Sequence, residues 1–193
     1  VGREPVFVVT GPSGAGKGTL IRELLERNDR LAVAVSATSR PQRPGEVQGR
    51  DYWFLSEEEF VARVEAGEFL EHVEYVGSRY GTLRSELDRI ADEGRVCILE
   101  LELEGALHVQ AEVPGSVTLF IAADVPELER RLRERATESS GEIDQRIELA
   151  RRQLEQAHRF RYVVRNDDVR RATQALAALV ECELEFAATM SRT

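Results

Sequence analysis

Cysteine is scarce: Cys97 and Cys182 are the only two in 193 residues. Two thiols in a chain of this size build no disulfide framework, and both are expected as buried free side chains. The three histidines, His72, His108 and His158, stand far apart without metal-ligand spacing, which gives them no catalytic or metal-binding part. No apolar run approaches the ~20 residues needed to cross a bilayer, and the opening shows no signal-peptide pattern. The expectation is a reducing, cytoplasmic setting without membrane contact. Excess positive charge is also missing. Acidic side chains number 35 against 26 basic ones, a formal charge of −9. Gripping a long polyanion rests on surplus Lys and Arg, so nucleic acid is not expected as a partner. There is no internal repeat and no low-complexity tract.

What is present is a globular composition, 42% hydrophobic and 32% charged, in a length that suits one α/β domain. Arginines cluster around Arg40–Arg50 and again from Arg130 to Arg165. Local basic patches on an acidic chain suit a small polyanionic ligand. Short β-branched runs predict strands at Pro5–Thr10, Leu31–Ser36, Asp51–Leu55, Phe69–Val76, Arg95–Leu101, Ser116–Ala122 and Tyr162–Val164. Apolar residues at helical spacing predict helices at Lys17–Asn28, Glu57–Ala66, Leu83–Glu93, Gly105–Ala111, Pro126–Arg135, Glu142–His158 and Val169–Ala188. Ala37–Gly49 reads as a loop and Thr137–Gly141 as a polar break. Strands alternating with helices imply a parallel sheet covered on both faces, with a small α+β insert in the middle.

The sharpest signal is the run Gly11, Pro12, Ser13, Gly14, Ala15, Gly16, Lys17, Gly18, Thr19. It follows a strand and opens a helix, as a phosphate-binding loop requires. Glycines let the backbone turn its N–H groups toward phosphate oxygens, and the helix N-terminus adds partial positive charge. Lys17 can then reach the β- and γ-phosphates of a nucleotide such as ATP. The strict motif places Ser or Thr directly after the lysine to hold Mg²⁺. Here Gly18 stands there and Thr19 follows, so contact with Mg²⁺ is expected through water.

The next stretch narrows the substrate. Ser36, Thr38, Ser39, Arg40, Arg43, Gly45 and Glu46 lead to Gly49-Arg50-Asp51-Tyr52-Trp53-Phe54. Phe69-Leu70-Glu71, Tyr80-Gly81-Thr82, Glu100-Leu101-Glu102, Gly105 and Asn166-Asp167-Asp168 follow in order. This series closely resembles the guanylate kinase family, from Val6 to about Leu179. The resemblance implies an α/β fold of P-loop type, a three-layer sandwich with a parallel sheet core, an inserted α+β GMP-binding subdomain and a helical lid. The divisions expected are a core at 1–35, 95–123 and 162–193, an insert at 36–94 and a lid at about 124–161. It implies ATP and GMP as substrates and Mg²⁺ as the cofactor of ATP. Arg40, Arg43, Tyr52 and Tyr80 would hold the GMP phosphate, and Glu71 would read the guanine edge, assisted by Ser36, Thr82 and Glu100. Glu102 stands where the family shows a shorter Asp, and would meet Mg²⁺ with Thr19 through water. Arg161 takes a usual Asp position after Phe160.

Arg131 and Arg135 lie four apart on one helical face, with Arg146 in the next helix. The family's lid carries arginines that stabilise the transferring phosphoryl group, and Arg135 and Arg146 match its pattern beside Lys17. Arg131 fits equally a solvated ion pair with Glu127. The implied reaction is MgATP and GMP to ADP and GDP. Two rivals stay open. One is a kinase of the same fold acting on AMP, dTMP or a sugar phosphate. The other is a guanylate-kinase-like module that binds a phosphopeptide without catalysis, against which the intact loop argues. Monomer or homo-oligomer is left undecided.

Overall fold

The computed structural model describes residues 5–75, 77–135 and 140–190, apart from the side chains of Tyr75, Arg135 and 140–142. At its centre lie five parallel strands: β1 (Phe7–Thr10), β2 (Leu31–Val33), β7 (Val96–Glu100), β8 (Val117–Ala122) and β9 (Tyr162–Arg165), in the order β2-β7-β1-β8-β9. The period of two along each strand sorts its side chains onto two faces. Phe7, Val9, Val96, Ile98, Leu119 and Ile121 pack under α1 (Lys17–Leu25) and α7 (Val169–Met190). Val8, Cys97, Leu99 and Phe120 pack under α3 (Arg84–Asp92) and α4 (Leu103–Glu112). A sheet buried on both faces explains why its strands read as unbroken apolar runs.

The second sheet has four short strands in the order β4-β3-β6-β5. They are β3 (Ala37–Thr38), β4 (Trp53–Phe54), β5 (Phe69–Tyr75) and β6 (Ser78–Leu83). Helix α2 (Glu57–Glu65) starts at a capping box between Ser56 and Glu59 and drops Phe60 into a cluster with Ala37, Phe69 and Leu83. Helices α5 (Val125–Arg135) and α6 (Ser140–Glu155) join through Leu132, Ile143 and Ile147.

Several sequence expectations need correction. Ala37–Thr38 lies inside the expected loop and forms β3, because both residues are fully buried between β4 and β6. Strand β6 was not foreseen. Its half-buried SRYGTL sequence alternates too weakly to be read locally, and it is held by pairing on both sides. β2 ends at Val33 and α6 begins by Ser140, within the expected break. Cys97 is buried, where loss of hydration pushes its thiol up to about 12, but Cys182 is exposed on α7.

Candidate active site

The loop after β1 turns into α1 through Gly16, whose φ of 90° is a left-handed conformation that favours glycine. A Cβ there would also collide with the Asn166 amide. Asn166 Nδ2 donates to the Ala15 carbonyl at 2.7 Å. Arg131 donates to the Gly14 carbonyl at 3.3 Å and to the Asn166 carbonyl at 3.1 Å, while its Nε pairs with Glu127 at 2.7 Å. The Glu127 ion pair is thus present, and the same guanidinium also braces the loop. Lys17 Nζ donates to the Gly11 carbonyl at 2.7 Å. From α6, Arg146 Nη2 donates to Ser13 Oγ at 2.7 Å. Arg135 closes α5, but its side chain lies outside the described residues. Seven of the nine residues 11–19 line a cavity of about 580 Å³ that Arg146 also walls. Gly11 and Ala15 do not line it: Gly11 is pressed on the Ile121 backbone, and Ala15 is fully buried.

A second cavity, of about 410 Å³, opens beside the small sheet. Ser36, Tyr52, Glu71, Tyr80 and Glu100 are among its walls. Glu71 on β5 sits opposite Thr82 on β6, and the Thr82 hydroxyl donates to its Oε1 at 2.9 Å. Glu71 is only 5% exposed. Burial pushes its carboxyl above the ordinary value, while the Thr82 hydroxyl and amide pull it back. Tyr52 and Tyr80 meet edge to face at 6.1 Å, and the Arg40 guanidinium lies 5.4 Å from the Tyr52 ring centre. Arg40 also pairs with Glu46 at 2.8 Å, which holds the Glu46 carboxyl below its usual range. Arg43 behaves differently. Its amide donates to Glu46 at 2.8 Å, and its exposed side chain acts on the Glu46 carboxyl only through its charge; neither Arg40 nor Arg43 is among the residues that wall the cavity.

The two cavities share Lys17, Glu100 and Glu102. Glu100 ends β7, in register with Val9 of β1. It is open to the cleft, yet the surrounding protein strips enough water to push its carboxyl up, with Lys17 pulling it back and Glu102 adding to the rise. Two cavities that share a lysine and two carboxylates in their walls suit two phosphate-bearing ligands brought end to end.

The profile of the guanylate kinase family matches residues 3–183. The chain belongs to the guanylate kinase family. It is 44% identical over 176 residues to the guanylate kinase of Synechococcus elongatus, covering 91% of this chain and 96% of that protein. It is 43% identical over 180 residues to that of Streptococcus agalactiae, covering 92% and 86%. The crystal structure of guanylate kinase from Anaplasma phagocytophilum matches with a TM-score of 0.76 at 26% identity, over 95% of this chain and 88% of that one. Shikimate kinase from Bacteroides thetaiotaomicron shares the fold at a TM-score of 0.53 and 20% identity, over 93% and 99%.

In this guanylate kinase, sequence reasoning missed several residues at the two cavities. Arg22, Leu149 and Gln153 line the loop cavity. Asn166 was read only as part of a motif, and its bond to the loop spans 151 residues, which no local spacing reports. Glu46 carried a usable signal, since it follows Arg40 by six residues at a glycine turn.

Proposed function

We propose that the cavity at the phosphate loop takes ATP, that the cavity at Glu71 takes GMP, and that Lys17 stands where the two phosphate chains meet. As a guanylate kinase, the chain transfers the γ-phosphoryl group of ATP to GMP, giving ADP and GDP. The observation that carries the assignment of the cavities is that they share Lys17. The acceptor oxygen of GMP is already anionic near neutral pH, so no general base is needed. Catalysis then rests on alignment and charge neutralisation.

The residues divide by chemistry. The loop amides cradle the ATP phosphates. Lys17 exchanges its bond to the Gly11 carbonyl for phosphate oxygens. Arg146, already on Ser13, and Arg135 meet the charge that spreads over the transferring group. Arg40, Arg43, Tyr52 and Tyr80 hold the GMP phosphate, through guanidinium forks and phenolic donors. Glu71 accepts from guanine N1–H and the 2-amino group, with Ser36, Thr82 and Glu100 completing the edge. Thr19, Glu100 and Glu102 present oxygen atoms to the loop cavity, a donor set that fits a hard cation keeping its waters. Mg²⁺ entering with ATP and held through water by Thr19 and Glu102 would supply further charge neutralisation. Water must be kept from the γ-phosphate, which gives α5 and α6 a reason to close only over both substrates.

The same proposal divides the chain into a core at 1–35, 95–123 and 162–193, an acceptor insert at 36–94 and a lid at about 124–161. No helix among the described residues is long and apolar enough to cross a membrane, and ATP and GMP suit a cytoplasmic setting. The decisive assay is ADP formation with GMP, AMP and dTMP in turn. GMP alone is expected to support rapid turnover, and Lys17→Ala is expected to abolish nearly all of it while leaving the fold intact. Lys17→Ala turnover within about threefold of wild type, too small a change for a group meeting transition-state charge, would remove the lysine from the reaction centre.

A further inference from the structure

Glu86 lies in the first turn of α3 and is 3% exposed. Its carboxylate receives four N–H donors from three separate segments. The Val35 amide donates to Oε2 at 2.8 Å and the Trp53 indole to Oε1 at 3.1 Å. Arg89, one turn on, donates Nη2 to Oε2 at 2.9 Å and Nε to Oε1 at 3.1 Å. Val35 belongs to the link by which the chain leaves β2 for β3, and it lines the cavity at Glu71. Trp53 adjoins Tyr52, and its own amide donates to the Ser36 carbonyl at 2.8 Å. Glu86, Val35, Ser36 and Trp53 therefore close a ring of bonds where the chain passes from one sheet to the other. Helix α3 is the return path, and it is rooted in the large sheet by Ile90, fully buried with Ala32, Cys97 and Leu99.

A buried carboxylate is a poor device for stability alone, since an apolar side chain of similar volume often serves as well or better. What a fully satisfied carboxylate adds is direction, because each bond fixes a distance and an angle. Here the groups so fixed are two walls of one cavity. We propose that Glu86 is a positioning residue for GMP: it sets the spacing between the Val35–Ser36 wall and the segment in which Tyr52 leads into β4. The inference rests on the cavity at Glu71 being the GMP site.

Trp53 is the sole tryptophan, so its emission reports on this ring directly. The test titrates GMP, without ATP, into wild type, Glu86→Gln, Trp53→Phe and the double variant. Trp53 fluorescence follows the proteins that keep the indole, calorimetry follows all four, and KM is measured for both substrates. An amide at 86 turns a donor toward one of the N–H groups it must accept. Glu86→Gln is expected to weaken GMP about tenfold or more, the scale of a lost charged hydrogen bond, and to leave the KM for ATP within about twofold. It should also abolish or reverse the emission change that GMP causes in wild type. Trp53→Phe, which keeps an aromatic ring and removes one N–H, should shift GMP affinity in the same direction by a smaller factor. The double variant should lose no more than Glu86→Gln alone, as coupled groups do. Variants that melt earlier yet bind GMP within about twofold of wild type, or that lose ATP and GMP equally, would reduce Glu86 to a structural role and overturn the positioning. Wild type that fails to bind GMP would overturn the cavity assignment and this inference together.

Discussion

Replacing Gly105 by alanine tests the proposed reading of guanine by Glu71 without substituting Glu71 itself. Gly105 lies in α4, in backbone conformation open to any residue, so alanine there gains ~1 kcal/mol of helix propensity. Its Cβ, however, would stand 2.6 Å from Glu71 Oε2 and 3.2 Å from Cδ. Real Cβ contacts essentially never fall below 3.0 Å, so the carboxylate must retreat. On its other side Oε1 is held by Thr82 at 2.9 Å. A retreat of a few tenths of an ångström approaches the ~0.5 Å tolerance within which a binding constellation still works. Crowding of this kind costs ~1–3 kcal/mol, partly offset by the helix gain, so thermal stability should change by no more than ~2 kcal/mol. Losing one charged hydrogen bond to guanine costs ~1.5–3 kcal/mol, or roughly 10- to 100-fold in kcat/KM for GMP. IMP lacks the 2-amino group and should lose less, so the gap between GMP and IMP should narrow. The assay is coupled ADP formation with GMP, IMP and AMP, beside a thermal melt. A folded variant whose kcat/KM for GMP stays within about threefold of wild type, below the loss expected for even one such bond, would refute the reasoning.

Other consequences follow from the same geometry. Burial holds the Glu71 carboxyl above its ordinary value, so its favourable contribution is complete at acid pH and is lost as pH rises through the folded value. Glu71→Gln should therefore melt higher than wild type near neutral pH, the gap closing below the ordinary carboxyl value of about 4.3, while kcat/KM for GMP falls sharply. Arg40→Ala and Arg43→Ala should each cost GMP ~2–5 kcal/mol of productive binding and spare ATP; equal damage to both KM values would move the arginines out of the acceptor site. Arg135→Ala and Arg146→Ala should lower kcat more than they weaken GMP binding, and an unchanged kcat in both would return them to a solvated helix.

The parts legible in the sequence are those where one local pattern suffices. The strand at Phe7–Thr10, the glycines and Lys17 form one contiguous signal, and the apolar runs at Val96–Glu100 and Val117–Ala122 read as buried strands because both faces are covered. Glu71 and Thr82 could be named, but their hydrogen bond depends on the register of β5 and β6, which the alternation of residues 78–83 does not report. Glu86 looks like any acid in the first turn of a helix, and only the return of α3 to the link at Val35 makes it buried. Arg131 was readable as a partner of Glu127, four residues away; its second contact, on Gly14, spans 117 residues.

The strand order also shapes how the chain can reach its native state as it is made. β1 pairs Phe7 with Ile98 on one side and with Val117 on the other. The loop after β1 is therefore made before both neighbours of its strand, whereas the small sheet draws all four strands from residues 37–83 and can pair among near neighbours. Contacts close in sequence form sooner than distant ones. Strand pairing in the small sheet can thus precede completion of the large one during synthesis, while Phe7–Thr10, wholly apolar save for its last residue, has no strand partner until residues 96–122 follow.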